Sequence, residues 1–173
     1  MTTPSPKSEA ALRAAKRPRN MLAGPYGHPF HALLVTIPIG TWVASLVFDI
    51  AGAATGQWDV FATAAQWLIG IGIVGAILAA IAGLLDFTKL TPQTKAHRIA
   101  TMHMVINLSV VVLFVIGWLL RAAVPGEPST AGIVISVIAL LGLSVSGFLG
   151  GELAYRYGVR VADEETQRAG FEP

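Results

Sequence analysis

Histidine is the residue type in this chain best suited to chemistry, and its placement is restricted. His28 and His31 open the first apolar segment, and His97 and His103 open the third. Alternating segments of a multi-span protein enter the membrane from the same side, so all four imidazoles are expected in one leaflet. Ionisable groups at membrane depth are costly and usually functional. The sequence therefore predicts a histidine cluster at one membrane face.

Acidic and amide side chains are expected beside these histidines. Asp86 ends the second apolar segment and Glu152 ends the fourth, at the same predicted depth. His103 and Asn107 are four positions apart, so they share one face of a helix. His97 and His103 are six positions apart and cannot both face one centre on a regular helix. His97 is therefore predicted to be a boundary residue.

Two kinds of cofactor site fit this cluster. His31 and His103, on facing helices, are suited to holding a haem iron as a b-type centre, because neutral imidazole is a common axial ligand. Alternatively, a divalent metal fits among His28, His31, His103, Asp86 and Glu152, since helical bundles commonly build metal sites from such ligands. In the haem interpretation, His28 is a further ligand or supporting group, and the two acids orient imidazoles or accept protons.

A structural interpretation competes with both cofactor sites. Charged residues at a membrane boundary cost far less than at the midplane, so the same side chains are able to form an interfacial polar network. In that network Asp86 pairs with Lys89 or Arg98, and Glu152 pairs with Arg156. Asn107 belongs to the supporting or structural set in either interpretation.

The elements that position these residues follow from hydropathy. The chain of 173 residues is 54% hydrophobic and only 13% charged, where a soluble domain has about a quarter. Four stretches, 30–48, 60–85, 99–120 and 128–151, contain no charged residue. Each is close to or above the roughly 20 residues needed to cross a bilayer. The short connections predict an all-α, antiparallel four-helix transmembrane bundle, with spans at about 30–51, 60–86, 98–121 and 129–152.

Charge distribution predicts the orientation of this bundle. With four spans, eleven of the twelve Lys and Arg residues fall on the side of the N-terminus, and Arg121 alone falls on the other. The positive-inside rule then predicts that both termini are cytoplasmic. Residues 1–22 are predicted to form a disordered basic tail, residues 23–160 the membrane domain, and residues 161–173 a short polar tail.

Small residues and one proline mark the expected packing faces. Gly75, Ala79 and Gly83 recur every four positions in the second span, and Gly147 and Gly151 do so in the fourth. Such spacing lets helices pack closely in lipid, and the alternative is room for a flat cofactor. Pro38 is predicted to kink the first span, with Thr36 or a neighbouring helix supporting the freed carbonyl.

Several function classes lack support in the sequence. The chain has no cysteine, which excludes disulfides, thiolate metal sites and c-type haem attachment. No motif of a nucleotide-binding site or a hydrolase is present, which favours a role other than that of an enzyme. The basic residues flank spans, which indicates topology rather than nucleic-acid binding. The expected partners are the lipid bilayer and a possible redox protein, and an oligomer is compatible with the sequence.

A set of motifs resembles the bacterial membrane family catalogued as domain of unknown function 2231. The motifs are His28-Pro29-x-His31 with Val35, Pro38 and Gly40, then Gly83 to Asp86, then His103 with Asn107, then Ser146, Gly150, Gly151, Glu152, Tyr155 and Gly158. The resemblance covers roughly residues 24–160. It implies a four-span protein of the bacterial inner membrane whose biochemical role is largely unassigned.

The resemblance also implies a direction for function. Some members of that family look to be joined to Rieske iron–sulfur or c-type cytochrome domains, which favours a redox or haem-related role. The present chain carries no such domain, so a separate redox partner is expected. The family's motif residues correspond to His28, His31, Asp86, His103 and Glu152. The leading hypothesis is a membrane protein that holds a haem or metal near the cytoplasmic face for electron transfer, and the alternative is a non-catalytic scaffold or assembly protein.

Overall fold

The computed structural model describes residues 5–172, and all regular structure within that range is helical. Four helical stretches are long and apolar enough to cross a membrane: Phe30–Thr55, Trp58–Phe87, Lys95–Ala122 and Thr130–Arg156. Their ends lie within four residues of the predicted bounds. The predicted all-α fold with four spans is therefore confirmed.

The first span consists of two helices, α2 (Phe30–Leu34) and α3 (Thr36–Thr55). The second and third are α4 (Trp58–Phe87) and α5 (Lys95–Ala122), and the fourth is α6 (Thr130–Gly151) continued by a π-helical turn over Glu152–Arg156. Outside the spans lie α1 (Pro6–Lys16), a short 3-10 helix (Met21–Ala23) and α7 (Glu164–Ala169).

The interruption between α2 and α3 agrees with the kink predicted from Pro38. Proline has no N–H, so the carbonyl of Leu34, four residues earlier, loses its helical partner. The hydroxyl of Thr36 donates to the carbonyl of Leu33 at 2.7 Å, on the same turn. Pro38 itself is buried. The kink therefore lies immediately after the helical turn that carries His31.

The helices form two hairpins. The most extensive contacts are within the pairs α3–α4 and α5–α6, and the hairpins meet more sparsely through α4 with α5 and α3 with α6. Around the bundle the order is therefore α3, α4, α5, α6, which places α3 and α5 at diagonal corners. Sequential neighbours with short connections run antiparallel. The diagonal helices α3 and α5 consequently run in the same direction.

Three pairs of side chains from the first and third spans meet in the centre of the bundle at successive depths: His31 with His103, Trp42 with Phe114, and Asp49 with Arg121. In each pair the two residues are 72 positions apart in the sequence. When equivalent positions of two units contact each other, an axis of approximate two-fold symmetry passes between them. The two hairpins are therefore structural repeats around an axis along the bundle, an arrangement known from other membrane proteins.

Burial repeats with the same spacing. The buried positions Pro38, Trp42, Ser45 and Asp49 of α3 correspond to Val110, Phe114, Gly117 and Arg121 of α5. Likewise Ala65, Ile69, Gly72 and Ala79 of α4 correspond to Gly132, Ser136, Ala139 and Ser146 of α6, at a spacing of 67. The residue types differ within every one of these pairs. The repeat is therefore visible in depth and burial rather than in residue identity.

Small residues allow the close approach of helices within each hairpin. A side chain at Gly75 would meet Ile37 at 2.6 Å, and one at Gly83 would meet the His31 ring at 2.8 Å. In α6 the glycines that lie against α5 are Gly132, Gly142 and Gly150, whereas nothing lies within 4 Å of a side chain placed at Gly147. The predicted stripe of α4 is thus a packing face, whereas the face of α6 that packs against α5 is rotated by one residue from the predicted Gly147 and Gly151.

The N-terminal segment differs from the predicted disordered tail. Within the described part of residues 1–22, α1 begins after Ser5, whose side chain accepts from the N–H of Ser8. Its Ala15 is buried in a small cluster with Leu90, Ala100 and Leu153. The composition suggested disorder because the segment has few large apolar residues, but an alanine surface suffices to pack against an existing bundle. Residues 1–4 of the predicted tail lie outside the described range.

Candidate functional site

The centre of the candidate site is the pair of imidazoles His31 and His103. Their ring centroids are 6.1 Å apart and the ring planes are nearly perpendicular, at 85°. Both side chains are half-buried. His31 comes from the first hairpin and His103 from the second, so the pair bridges the two repeats. The sequence-based expectation that these two residues lie on facing helices agrees with this geometry.

Both imidazoles are oriented by main-chain carbonyls. The Nδ1 atom of His31 lies 2.9 Å from the carbonyl oxygen of Ala79, and Nδ1 of His103 lies 2.9 Å from that of Ser146. Because a carbonyl oxygen only accepts, each Nδ1 must carry the hydrogen. Each Nε2 then carries a lone pair in the neutral ring. This tautomer is the one found in histidines that ligate a metal through Nε2.

The two Nε2 atoms differ in their surroundings. The side-chain amide of Asn107 donates to Nε2 of His103 at 3.1 Å and to the carbonyl of His103 at 2.9 Å. No hydrogen bond to Nε2 of His31 is found from any residue between 5 and 172. The position 72 before Asn107 is Val35, which cannot donate from its side chain. The site is therefore asymmetric, with one occupied and one free lone pair.

Two glycines allow the histidine rings to pack closely against the neighbouring helices. A side chain at Gly83 would contact His31, and one at Gly150 would lie 3.2 Å from Cε1 of His103. These glycines lie one turn beyond Ala79 and Ser146, respectively, on the helices that orient the rings. The same local arrangement, a carbonyl followed by a glycine one turn later, is thus used in both hairpins.

Two histidines of the predicted cluster lie away from this pair. His28 is exposed, and its Nδ1 contacts only the carbonyl of Tyr26, at 3.3 Å. His97 packs against the ring of Phe87, with centroids 4.8 Å apart. His97 is the boundary residue that its helical position predicted. His28 does not join His31, because it precedes the helix that carries His31.

Asp86 is paired with a residue that sequence reasoning overlooked. Nε of Arg160 lies 2.8 Å from Oδ1 of Asp86, and both side chains are almost completely buried. The guanidinium also donates to the carbonyls of Ala23 and Gly24 at 2.9 and 3.1 Å. The expected partners Lys89 and Arg98 are wrong, because the C-terminal segment folds back under the bundle and brings Arg160 closer.

Glu152 forms the local pair that the structural interpretation expected. Its Oε1 accepts from Arg156 at 3.1 Å and from the hydroxyl of Tyr157 at 3.4 Å. The Arg156 side chain is 73% exposed, so this pair contributes little to stability. The π-helical turn that contains Glu152 brings these three side chains together. Glu152 is thus engaged with its own turn rather than with His103.

The divalent-metal hypothesis is corrected by these positions. Among residues 5–172, no group of three or more His, Asp or Glu side chains is arranged to hold a metal ion. The five expected ligands separate because His28 is exposed and both acids are paired with arginines. What remains of the predicted cluster is the two-histidine centre with Asn107, and Asp86 on the same hairpin as His31.

A second polar centre lies at the opposite end of the bundle. Arg121 donates to both carboxylate oxygens of Asp49 at 2.7 and 2.6 Å, and both side chains are buried. Ser136 lies 3.4 Å from the same guanidinium. The signal was present in the sequence, because Asp49 follows His31 of the same span by 18 positions, and Arg121 follows His103 by the same number. Equal depth and opposite charge would have predicted this pair.

Outside the spans, Asp163 connects the two terminal segments. Its carboxylate accepts from the N–H of Thr166 at 2.9 Å, capping α7, and from the hydroxyl of Tyr26 at 2.8 Å. The hydrogen bonds from Thr166, followed by that from Tyr26, lower the pKa of Asp163 to about 2. The carboxylate is therefore ionised at any physiological pH, so it remains an acceptor for these hydrogen bonds.

These features define a class of protein: a four-span helical membrane bundle made of two hairpin repeats, with a histidine pair at one end and a buried ion pair at the other. The chain belongs to the family described as "Predicted membrane protein (DUF2231)", whose model matches residues 27–163. The family resemblance inferred from the motifs is therefore confirmed. Comparison with curated proteins and with solved structures found no match.

Proposed function

We propose that this protein holds a b-type haem between His31 and His103 and passes single electrons to a separate redox partner. The observation that carries this proposal is the pairing of two imidazoles from different hairpins. Each has its Nδ1 hydrogen bonded to a main-chain carbonyl and its Nε2 in the form that binds iron. Haem iron with axial histidines is a one-electron carrier, which is the chemistry the group would supply.

The spacing of the rings is compatible with a shared iron. An iron held by both residues would bind Nε2 of each ring, with metal–imidazole bonds of about 2 Å. The observed separation of the ring centroids is 6.1 Å. The rings come from different hairpins, whose mutual contacts are sparser than those within each hairpin. The pair therefore lies at the contact between the two hairpins.

The alternative function is that of a non-catalytic scaffold or assembly protein. The observation that favours it is the hydrogen bond from Asn107 to Nε2 of His103, which occupies the lone pair that iron would need. The buried charges Asp49, Asp86, Arg121 and Arg160 are also paired with one another within the chain. In this interpretation the histidine pair only holds helices together, as the buried ion pairs do.

We also propose that the protein lies in the bacterial inner membrane with both termini in the cytoplasm. The support is the charge distribution of the sequence. Contacts between terminal segments, such as Lys16 with the carbonyl of Ala162 at 3.2 Å, are consistent with a common side. The histidine pair then faces a cytoplasmic redox partner.

The experiment is the absorption spectrum of the full chain purified in detergent from cells supplied with a haem precursor. We expect a Soret band that shifts on reduction, and its loss in both His31→Ala and His103→Ala. His28→Ala and His97→Ala are matched controls, since they change the same residue type in the same leaflet and should retain the band.

The same measurement also defines the result that overturns the haem proposal. A colourless wild-type protein that also takes up no added haemin, with a normally folded His31→Ala/His103→Ala double variant, overturns the haem proposal. Where the wild type does bind haem, Asn107→Leu tests whether Nε2 of His103 is a ligand. It releases Nε2 of His103, so haem affinity should stay equal or rise if iron binds there, whereas a purely structural pair should only lose stability.

A further inference from the structure

A cavity of about 560 Å³ opens on the side of the bundle between the first, second and third spans. It is lined mainly by apolar residues of α4, including Ile71, Val74 and Leu78. Its size is within the range of small-molecule sites. Three lining side chains carry N–H groups, those of Gln66, Trp67 and Trp118, and they lie toward the end of the bundle opposite the histidine pair.

Gln66 is an unusual residue for this surface. It follows the start of α4 at Trp58 by eight positions, which is about 12 Å along the helix axis. Hydroxyls elsewhere in the spans donate to carbonyls of their own helix, as those of Thr63 and Ser109 do. The side-chain amide of glutamine forms such a bond to a carbonyl of its own helix less readily than a hydroxyl does. Gln66 makes no side-chain hydrogen bond within residues 5–172. A polar group without a partner in hydrocarbon costs free energy.

The indole of Trp118 presents a second donor beside the same space. Its Nε1 would be 3.3 Å from a side chain placed at Gly70, so it lies against the gap that this glycine leaves. No acceptor for this N–H is found in the described part of the chain. The exposed ring of Trp67 flanks the gap on α4. The amide of Gln66, the indoles of Trp67 and Trp118, and the space beside Gly70 therefore lie together at one end of the cavity.

The repeat of the fold supplies an internal comparison. The positions of α6 that are equivalent to Gln66, Trp67 and Gly70 of α4 carry Ile133, Val134 and Val137. The position of α3 that is equivalent to Trp118 of α5 carries Leu46. Gln66 and Ile133 are buried to a similar degree, as are Trp118 and Leu46. Both surfaces meet the same membrane, so contact with lipid alone does not explain the difference. The polar and aromatic residues Gln66, Trp67 and Trp118 therefore occur on only one of the two equivalent surfaces of the bundle.

We propose that this cavity binds the head ring of a lipid-soluble quinone in its oxidised form. The ligand must be dissolved in the membrane, because the cavity opens within the span. It must also offer acceptors, because the amide N–H of Gln66 and the indole N–H of Trp118 both donate. A flat ring with carbonyl oxygens fits the gap at Gly70 beside an indole face, and an alkyl or isoprenoid tail follows Ile71, Val74 and Leu78.

The test measures tryptophan fluorescence of the full chain in detergent during titration with decylubiquinone. We expect saturable quenching that duroquinone displaces and decylbenzene, which has no carbonyl, does not. Gln66→Leu should weaken binding about tenfold, the usual effect of losing one hydrogen bond. Gly70→Leu should abolish saturable quenching by filling the gap. The same haem content in all samples keeps this test independent of the proposed haem.

The equivalent positions supply the controls. Ile133→Leu and Val137→Leu alter the sister surface by similar side chains and should leave the affinity unchanged. Gln66→Leu should fold, since the sister position carries isoleucine, and Gly70→Ala is the milder substitution if Gly70→Leu does not fold. Equal competition by decylbenzene, or an unchanged affinity of Gln66→Leu, means that the cavity holds an acyl chain. Absence of saturable quenching together with a smaller oligomer in Gly70→Leu means that a second copy of the chain covers it; either result overturns the proposal.

Discussion

At the scale of single residues, Asp49 and Arg121 provide the sharpest test of the structure. Each of them is buried and charged, so removing one partner leaves the other uncompensated, which costs about 3–5 kcal/mol in known cases. We expect Asp49→Leu and Arg121→Leu each to reduce the unfolding free energy in detergent by an amount of this order. The measurement is denaturant unfolding followed by circular dichroism.

The two-fold repeat makes a further prediction about this pair. Because the two positions are equivalent, exchanging the charges in Asp49→Arg/Arg121→Asp should restore most of the lost stability. The remaining deficit should be about 1 kcal/mol, since the contact with Ser136 is lost and its sister residue is Ile69. A double variant as unstable as the single variants would contradict the equivalence of these positions.

Residue-level prediction succeeded where helical spacing alone decides contact. His103 meets Asn107 because they are four positions apart, and Glu152 meets Arg156 for the same reason. It failed for Asp86, because Arg160 reaches it through a turn with Arg160 at a φ of 60°, a backbone conformation that side chains seldom adopt. No spacing rule predicts such a return of the chain.

At the scale of elements, the N-terminal helix α1 depends on its connection to the C-terminal segment. The N–H of Arg160 donates to the carbonyl of Ala15 at 3.0 Å, and its guanidinium donates to those of Ala23 and Gly24. We expect Arg160→Ala to accelerate trypsin cleavage within residues 13–19 by at least about tenfold, since hydrogen bonds from a charged group contribute roughly 1.5–3 kcal/mol each.

Arg168→Ala is the matched control for this experiment. It also removes one arginine of the C-terminal segment, but its side chain is 77% exposed and pairs only with Glu164 on its own helix. Cleavage of this variant should proceed at the wild-type rate, apart from the lost site. Equal rates for Arg160→Ala and Arg168→Ala would show that α1 is held by its apolar contacts alone.

The elements differ in how far the sequence determines them. Each span is specified by some 20 apolar residues, so its existence follows from hydropathy. The helix α1 is specified by only a few local signals, the cap at Ser5 and Pro6 at its first position. Its packing against Leu90 and Leu153 is a long-range contact, which composition does not report. Composition alone therefore does not predict that residues 6–16 form a helix that packs on the bundle.

At the scale of the whole molecule, the bundle was predictable and its repeat was not. Span lengths and short connections lead directly to antiparallel hairpins. The residues that meet on the two-fold axis are mostly of different types, such as Trp42 with Phe114 and Asp49 with Arg121. Sequence similarity between the hairpins is correspondingly weak. The sequence shows the repeat only in the equal spacing of 18 positions from His31 to Asp49 and from His103 to Arg121. This spacing indicates a repeat only when the first and third spans are known to be parallel and diagonal.

Charge distribution predicts the orientation of the whole molecule in the membrane, and this prediction is directly measurable. The chain has no cysteine, so single cysteines serve as unique reporters without a change of background. We expect Glu127→Cys, in the exposed loop between α5 and α6, to react with a membrane-impermeant maleimide in intact spheroplasts. Ser8→Cys, Thr91→Cys and Arg168→Cys should react only after lysis, because the positive-inside rule places those segments in the cytoplasm. Labelling of the last three but not of Glu127→Cys would invert the bundle and move the histidine pair to the outer face, where a cytoplasmic redox partner could not reach it.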